Sequence, residues 1–252
     1  MLLLSNLPLL TSKGALDGIP DGKVLINTIN AHSYYQAQKN EPYADALKRG
    51  DYLLPDGAGI VMACRWLGGR SVPKERIAGW DLFCFEMKRL NGRSEQRKMK
   101  GEKCLRVMFV GTSEQTLARI RERVARDYPH LEVLTYSPPY KDEFSEEDSH
   151  AIIDAVNTAQ PDLLWIGMTA PKQEIWTWQH WQKLDIHCHV GTIGAVFDFY
   201  AGTVRRAPLW MQRHAMEWLY RLVMEPRRLW RRYLIGNPLF VWNILKEKRY
   251  RK

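Results

Sequence analysis

Asp56 stands in the run Pro55-Asp56-Gly57-Ala58-Gly59-Ile60, directly behind a short apolar stretch at 52–55 (YLLP). An aspartate at a strand end, with glycines keeping the backbone open, is placed to act as a general base in a crevice. The position equally suits an aspartate that caps the next helix. Thr28 and Asn30 end an earlier strand in NTIN at 27–30, after the apolar run at 23–28 (KVLINT). Their side chains suit a sugar hydroxyl or a phosphate, and equally suit turn and cap chemistry. Arg76, opening RIAGWD at 76–81, reads as a phosphate clamp at a helix start or as a surface arginine. Gln173 in PKQE at 171–174 is a candidate reader of a base or sugar edge. The same four residues make an ordinary helix start, with proline first and an acid in the opening turn.

Other motifs are weaker. His187 and His189 flank Cys188, and strand alternation puts both histidines on one face. No Asp, Glu or Cys has matching ligand spacing, so they read as buried strand residues. No DxD occurs in the chain, and the reading assigns no metal. The turns Gly111-Thr112-Ser113 and Gly191-Thr192-Ile193-Gly194 each follow an apolar run and offer backbone N–H groups to a nucleotide diphosphate. Neither matches GxGxxG or GxxxxGK[ST], so they point to no particular cofactor.

The elements that must carry these residues alternate. Apolar runs at 23–28, 52–55, 105–110, 131–136, 162–167 and 186–190 read as strands. Helical stretches lie between them, at 60–67, 76–90, 114–128 and 171–181 and from Ser145 onward, where Asp148 completes a capping-box pattern. The polar run 91–103 (NGRSEQRKMKGEK) reads as an exposed loop. Strands alternating with helices imply an α/β, doubly wound, mainly parallel Rossmann-like sheet, with ligands at the carboxyl ends of its strands. After residue 202 the pattern becomes helical. Met211, Ala215, Trp218, Leu219 and Leu222 share one face, and Arg213, Glu217 and Arg221 step by four along another. Pro226 and Pro238 each precede a further helix.

The chain has 252 residues, 45% hydrophobic and 26% charged, with ten Trp and eleven Tyr. These values exclude a disordered or fibrous protein. Four separated cysteines without a CxxC pair exclude a zinc ribbon or disulfide scaffold and fit reduced thiols. The net charge of +9 is unevenly placed. Residues 203–252 hold 13 Lys and Arg against three Glu, net +10, whereas residues 1–202 hold 24 basic and 25 acidic groups, net −1. The expected division is therefore an α/β catalytic domain at 1–202 and a basic, Trp-rich helical appendage at 203–252. Such an appendage seeks phosphate, on nucleic acid, anionic lipid or substrate. The opening MLLLSNLPLL lacks a basic n-region and is too short to span a bilayer. The run 233–245 is interrupted by Gly236, Asn237 and Pro238, so any membrane association is expected to be peripheral.

Several long segments in order give the sequence a family likeness. NTIN at 27–30, PDGAGI at 55–60, RIAGWDL at 76–82, APKQEIW at 170–176, the stretch 194–222 and EPRRLWRRYL at 225–234 together resemble the WecG/TagA/CpsF family of bacterial glycosyltransferases. The resemblance runs from about residue 23 to residue 234. It implies inverting transfer of a sugar from a UDP-sugar to GlcNAc-diphospho-undecaprenol, at the cytoplasmic membrane face, in surface-polysaccharide assembly. It implies Asp56 as base and a substrate pocket holding Thr28, Asn30, Arg76 and Gln173. Arg221, Arg228 and Arg231 match the family's appendage arginines over the diphosphate. No cofactor is implied. The donor sugar stays open between an N-acetylmannosamine type, galactose and glucose, because Thr169 replaces a common glycine and the Gly111 turn departs from the family pattern. Homo-oligomerisation also stays open. The rival reading is a nucleic-acid-binding protein using its basic appendage, although no RRM, KH or helix-turn-helix pattern appears.

Overall fold

This computed structural model describes residues 2–208, 210–211 and 216–250, the side chain of Arg228 excepted. Arg213 and Ala215, placed above on helical faces, lie outside the described residues. Six parallel strands form one sheet: β1 (Val24–Ile29), β2 (Tyr52–Pro55), β3 (Leu105–Gly111), β4 (Leu131–Tyr136), β5 (Leu163–Gly167) and β6 (His189–Thr192). Their spatial order is β2-β1-β6-β5-β3-β4. The α/β doubly wound reading therefore holds, with every strand pair parallel.

Alternation along the strands builds a core on each face. Val107 and Phe109 of β3 join Ile26, Trp165 and Phe83 on one side, while Met108 and Val110 join Leu164 and Ile166 on the other. β1 is flanked by β2 on one side and β6 on the other: the chain steps from β1 to the β2 edge, crosses to β3 and the far edge β4, and returns through β5 to β6 beside β1. A crevice at the carboxyl ends of β1 and β6 is the place where such a sheet takes ligands.

The helices of the body are α1 (Ala31–Ala37), α2 (Glu41–Arg49), α3 (Ala58–Leu67), α4 (Gly79–Met99), α5 (Glu114–Asp127), α6 (Glu146–Ala159), α7 (Lys172–Gln179) and α8 (Gly194–Ala201). Helix α4 overturns most of the loop expected at 91–103: the helix continues to Met99, and only 100–103 are loop. Ser94 is buried in the stripe that continues from Leu90, and its hydroxyl accepts from Leu105 N (2.8 Å) while Asn91 Oδ1 accepts from His130 N (3.2 Å). A small hydroxyl takes the inward position where the periodicity called for an apolar residue, so only the charged solvent face was visible. The strand expected at 186–190 is also shifted. β6 starts at His189, leaving His187 exposed outside it, so the two histidines do not share a buried strand face.

Among the elements with described bounds, α9 (Glu217–Met224), α10 (Pro226–Trp230) and α11 (Gly236–Tyr250) follow, with a π-helical turn over Arg231–Ile235 before α11. Pro238 sits inside the first turn of α11 instead of preceding it. This last helix packs into the body: Phe240 and Ile244 share a core cluster with Leu2, Leu4, Ile29 and Tyr34. The apolar N-terminus is thus core. Glu247, fully buried, accepts from Leu4 N (2.9 Å), Ser5 N (2.7 Å) and Tyr34 Oη (2.8 Å). No described helix is long and apolar enough to cross a membrane.

Candidate active site

The backbone brings Asp56 to the crevice. Its N–H donates to the Ile29 carbonyl (2.8 Å), prolonging the β1–β2 pairing by one bond. Gly57 follows with φ +138°, a conformation L side chains rarely adopt, and α3 begins at the next residue. Ile77 N donates to the Pro55 carbonyl (3.0 Å), which lays the segment bearing Arg76 alongside. Asp81 caps the helix behind it through Ala78 N (2.8 Å).

Charge gathers around this carboxylate from both parts of the chain. Arg76 Nη1 pairs with Glu217 Oε2 of α9 at 3.0 Å, and Arg206 Nε reaches Glu217 Oε1 at 3.5 Å. Burial raises the pKa of Asp56 and Glu217 adds to the rise, while the positive charges of Arg76 and Arg232 oppose it. The rise makes Asp56 a better proton acceptor than a solvated aspartate. Burial lowers the pKa of Arg232, with the nearby charge of Arg221 adding to the fall and that of Asp56 opposing it. The Nε atoms of Arg221 and Arg232 are buried without a hydrogen-bond partner. Arginines 76, 206, 221 and 232 outnumber the carboxylates Asp56, Asp81 and Glu217, so the cluster has an excess of positive charge and unspent donors. Both are what a phosphate-bearing ligand satisfies.

The other sequence candidates divide. Thr28 is half-buried near the end of β1, opposite Leu54 of β2. Asn30 caps α1, its Oδ1 accepting from His32 N and Ser33 N (both 3.0 Å). Gln173 is almost fully buried and its amide is engaged within the fold. Oε1 accepts from Met168 N (3.3 Å) and Gly194 N (3.1 Å), and Nε2 donates to Glu174 Oε1 (2.8 Å). It therefore clamps the loops after β5 and β6 together. Arg221 lies over the Phe199 ring at 5.5 Å. Arg231 is exposed, its guanidinium 5.2 Å from the Trp230 ring, whereas its neighbour Arg232 is drawn into the cluster. The side chain of Arg228 lies outside the described residues.

Sequence reasoning missed Arg232, Glu217 as an ion-pair partner, and a set of buried polar groups nearby. His32 is held neutral, its pKa pushed down to about 4 by burial and by Arg232. Its Nδ1 is buried without a partner, as are Tyr43 Oη and Glu174 Oε2. The Arg231-Arg232 pair was visible, but only the π-helical turn decides which of the two faces Asp56. Elsewhere, His189 Nδ1 meets Glu86 Oε1 (3.0 Å) and its Nε2 meets the Pro20 carbonyl (2.9 Å), a buried polar joint at the start of β6. Among the described residues no three His, Cys, Asp or Glu side chains are grouped to hold a metal ion.

The model of the glycosyl transferase WecG/TagA/CpsF family matches residues 8–252. The chain belongs to this family. Among curated proteins it is 33% identical over 224 residues to an N-acetylglucosaminyldiphosphoundecaprenol N-acetyl-beta-D-mannosaminyltransferase of Bacillus spizizenii, covering 89% of this chain and 79% of that one. Proteins of the same name from Bacillus subtilis and Staphylococcus aureus are 29% and 24% identical over 228 residues, each covering 90% of this chain and 81% of the relative. As a glycosyltransferase of this family, the chain carries its matched segments at the crevice: NTIN ends β1, PDGAGI joins β2 to α3, and RIAGWDL leads into α4. Thr169 adopts φ +72°, a left-handed conformation that costs a β-branched residue about 1–2 kcal/mol.

Proposed function

We propose that this glycosyltransferase moves an N-acetylmannosamine-type sugar from a UDP-sugar to GlcNAc-diphospho-undecaprenol, with inversion and without a metal. Asp56 removes the proton from the acceptor hydroxyl as that oxygen attacks the sugar's C1. One carboxylate suffices because no covalent enzyme intermediate forms. The leaving diphosphate gains negative charge, and Arg76, Arg221 and Arg232 supply fixed positive charge against it. Asn30 and Thr28 border the same strand end, and Gln173 acts by holding the two loops that shape the pocket. The exposed Arg231 extends the positive charge outward to the lipid diphosphate, and Arg228 is assigned to the same diphosphate. Residues 203–252 dock the 1–202 body on the cytoplasmic face of the membrane as a peripheral unit. The reading is carried by one observation: a raised carboxylate at a strand end, set among arginines whose Nε donors are buried and unspent.

The test supplies purified protein with synthetic GlcNAc-diphosphate-lipid and a panel of UDP-sugars in the presence of EDTA, with products read by mass. The expected result is one added N-acetylhexosamine, and a fall in turnover of about 10² or more in Asp56→Asn. Transfer that requires a divalent metal, or wild-type rates in Asp56→Asn, overturns the corresponding step.

A further inference from the structure

We propose that the bilayer-facing surface extends beyond the basic appendage onto the catalytic body, through the outer face of α3. This rests on the peripheral docking proposed above and names a second element that takes part in it.

Helices α3 and α11 lie side by side and run in the same direction. Near their starts, a Cβ on Gly59 would sit 3.6 Å from the Phe240 ring. Near their ends, Lys248 Nζ donates to the Trp66 carbonyl at 2.8 Å and lies 5.5 Å from the Trp66 ring centroid. The inner faces are spent on the core, with Ile60, Ala63, Cys64 and Leu67 from α3 against Phe240 and Ile244 from α11. The outer faces carry large apolar side chains in water. Met62 is 67% and Trp66 49% exposed on α3, one helical turn apart, and Val241 and Trp242 are 54% and 52% exposed on α11. Side chains of this size are seldom left out in such a group without a partner.

Charge selects an anionic bilayer as that partner. Helix α3 contains no acid, and the only acid of α11, Glu247, is turned fully inward onto Leu4, Ser5 and Tyr34. The charges the two helices present outward are therefore all positive: Arg65, Lys246, Lys248 and Arg249. An apolar strip on two helices whose own outward charges are all Lys and Arg matches the interface of an anionic membrane, with Trp at the headgroup level. The consequence reaches the chemistry. Helix α3 starts two residues after Asp56. Docking α3 places that strand end at the headgroups, where a lipid-linked diphosphate is presented.

The experiment compares the full-length protein with Met62→Glu and with Met99→Glu. Met99 is 78% exposed at the end of α4, away from this surface. Partition is measured by co-sedimentation with phosphatidylglycerol/phosphatidylcholine vesicles and with phosphatidylcholine alone. Circular dichroism confirms folding, and sedimentation velocity gives the oligomeric state. Expected are a tenfold or greater loss of anionic-vesicle partition in Met62→Glu and wild-type partition in Met99→Glu. Turnover of Met62→Glu on a water-soluble GlcNAc-diphosphate acceptor stays within twofold of wild type. Equal loss in both variants, or none in Met62→Glu while the wild type binds vesicles, overturns the role of α3 and leaves peripheral docking standing. A wild type that ignores vesicles overturns both. A wild-type dimer that Met62→Glu converts to monomer overturns the lipid assignment and makes this face a contact between copies.

Discussion

Glu174 sits one residue after Gln173 and is 1% exposed. One of its oxygens accepts from the Gln173 amide and the other is buried without a partner. Burial pushes its pKa up to about 7, opposed in part by the Gln173 bond. A carboxyl raised in the folded state stabilises the fold below its unfolded value near 4.5, and that stability is lost as pH rises through 7. A displacement of this size corresponds to about 3 kcal/mol. His32 works in the opposite direction. Its pKa is held down to about 4, so its contribution is present above 6.5 and lost as pH falls through 4. The two slopes offset each other in the whole protein, and a difference measurement is needed to see either. The stability gap between wild type and Glu174→Gln, from urea midpoints, is expected to move against the wild type by about 3 kcal/mol between pH 4.5 and 7.5. A constant gap would mean that Glu174 stays ionised throughout. At this scale the sequence was readable where backbone pattern alone sets the position. Asp56 announces its place at a strand end by a strand, an acid and glycines. The choice of Arg232 over Arg231, and the inward use of Gln173, depend on side-chain direction within a turn, which no periodicity encodes.

Elements were legible in the same uneven way. Strands read well because both faces of a parallel sheet are covered, so their apolar runs are nearly continuous. The second half of α4 did not, because Ser94 fills a buried position and Asn91 a half-buried one with hydrogen bonds in place of apolar area. Helix α11 is the sharper lesson. Composition grouped it with a basic appendage, yet its buried stripe Gly236, Phe240, Ile244 and Glu247 closes the core over the N-terminus. The Glu247 carboxylate is the fixture. Removing it leaves two backbone N–H groups and a tyrosine hydroxyl buried without an acceptor, each costing about 1–3 kcal/mol. Glu247→Ala is therefore expected to lower stability by about 3 kcal/mol or more, read as a drop in the urea midpoint. The π-helical turn carrying Arg232 leads directly into α11, so the loosened helix also shifts Arg232 relative to Asp56. Turnover should fall in this variant although residue 247 touches no reacting group. A wild-type midpoint would show that α11 is held by its apolar stripe alone.

Across the whole molecule, a nearly neutral body carries a segment of net +10, and the folded chain puts that charge beside exposed aromatic and aliphatic side chains. Trp218 on α9, Leu234 on the π-helical turn and Trp242 on α11 are each at least 40% exposed. Two forces would then hold such a surface to an anionic membrane, and salt separates them. Each Lys or Arg near the headgroups contributes about 1 kcal/mol, a term confined to roughly the Debye length. That length shrinks from about 10 Å at 0.1 M salt to about 3 Å at 1 M. Losing two such attractions amounts to roughly a thirtyfold weaker partition. The insertion of Trp and Leu is indifferent to this screening and is strengthened by salts that are excluded from apolar surface. Co-sedimentation with phosphatidylglycerol-containing vesicles is thus expected to fall about thirtyfold between 0.1 and 1 M sodium chloride and then level off at a measurable residue. A partition unmoved by salt would assign docking to the apolar strip and leave the arginines to the diphosphate. Binding that vanishes at high salt, and that oligonucleotides compete away at low salt, would instead make the +10 segment a nucleic-acid surface, because phosphate contacts alone carry no salt-resistant remainder.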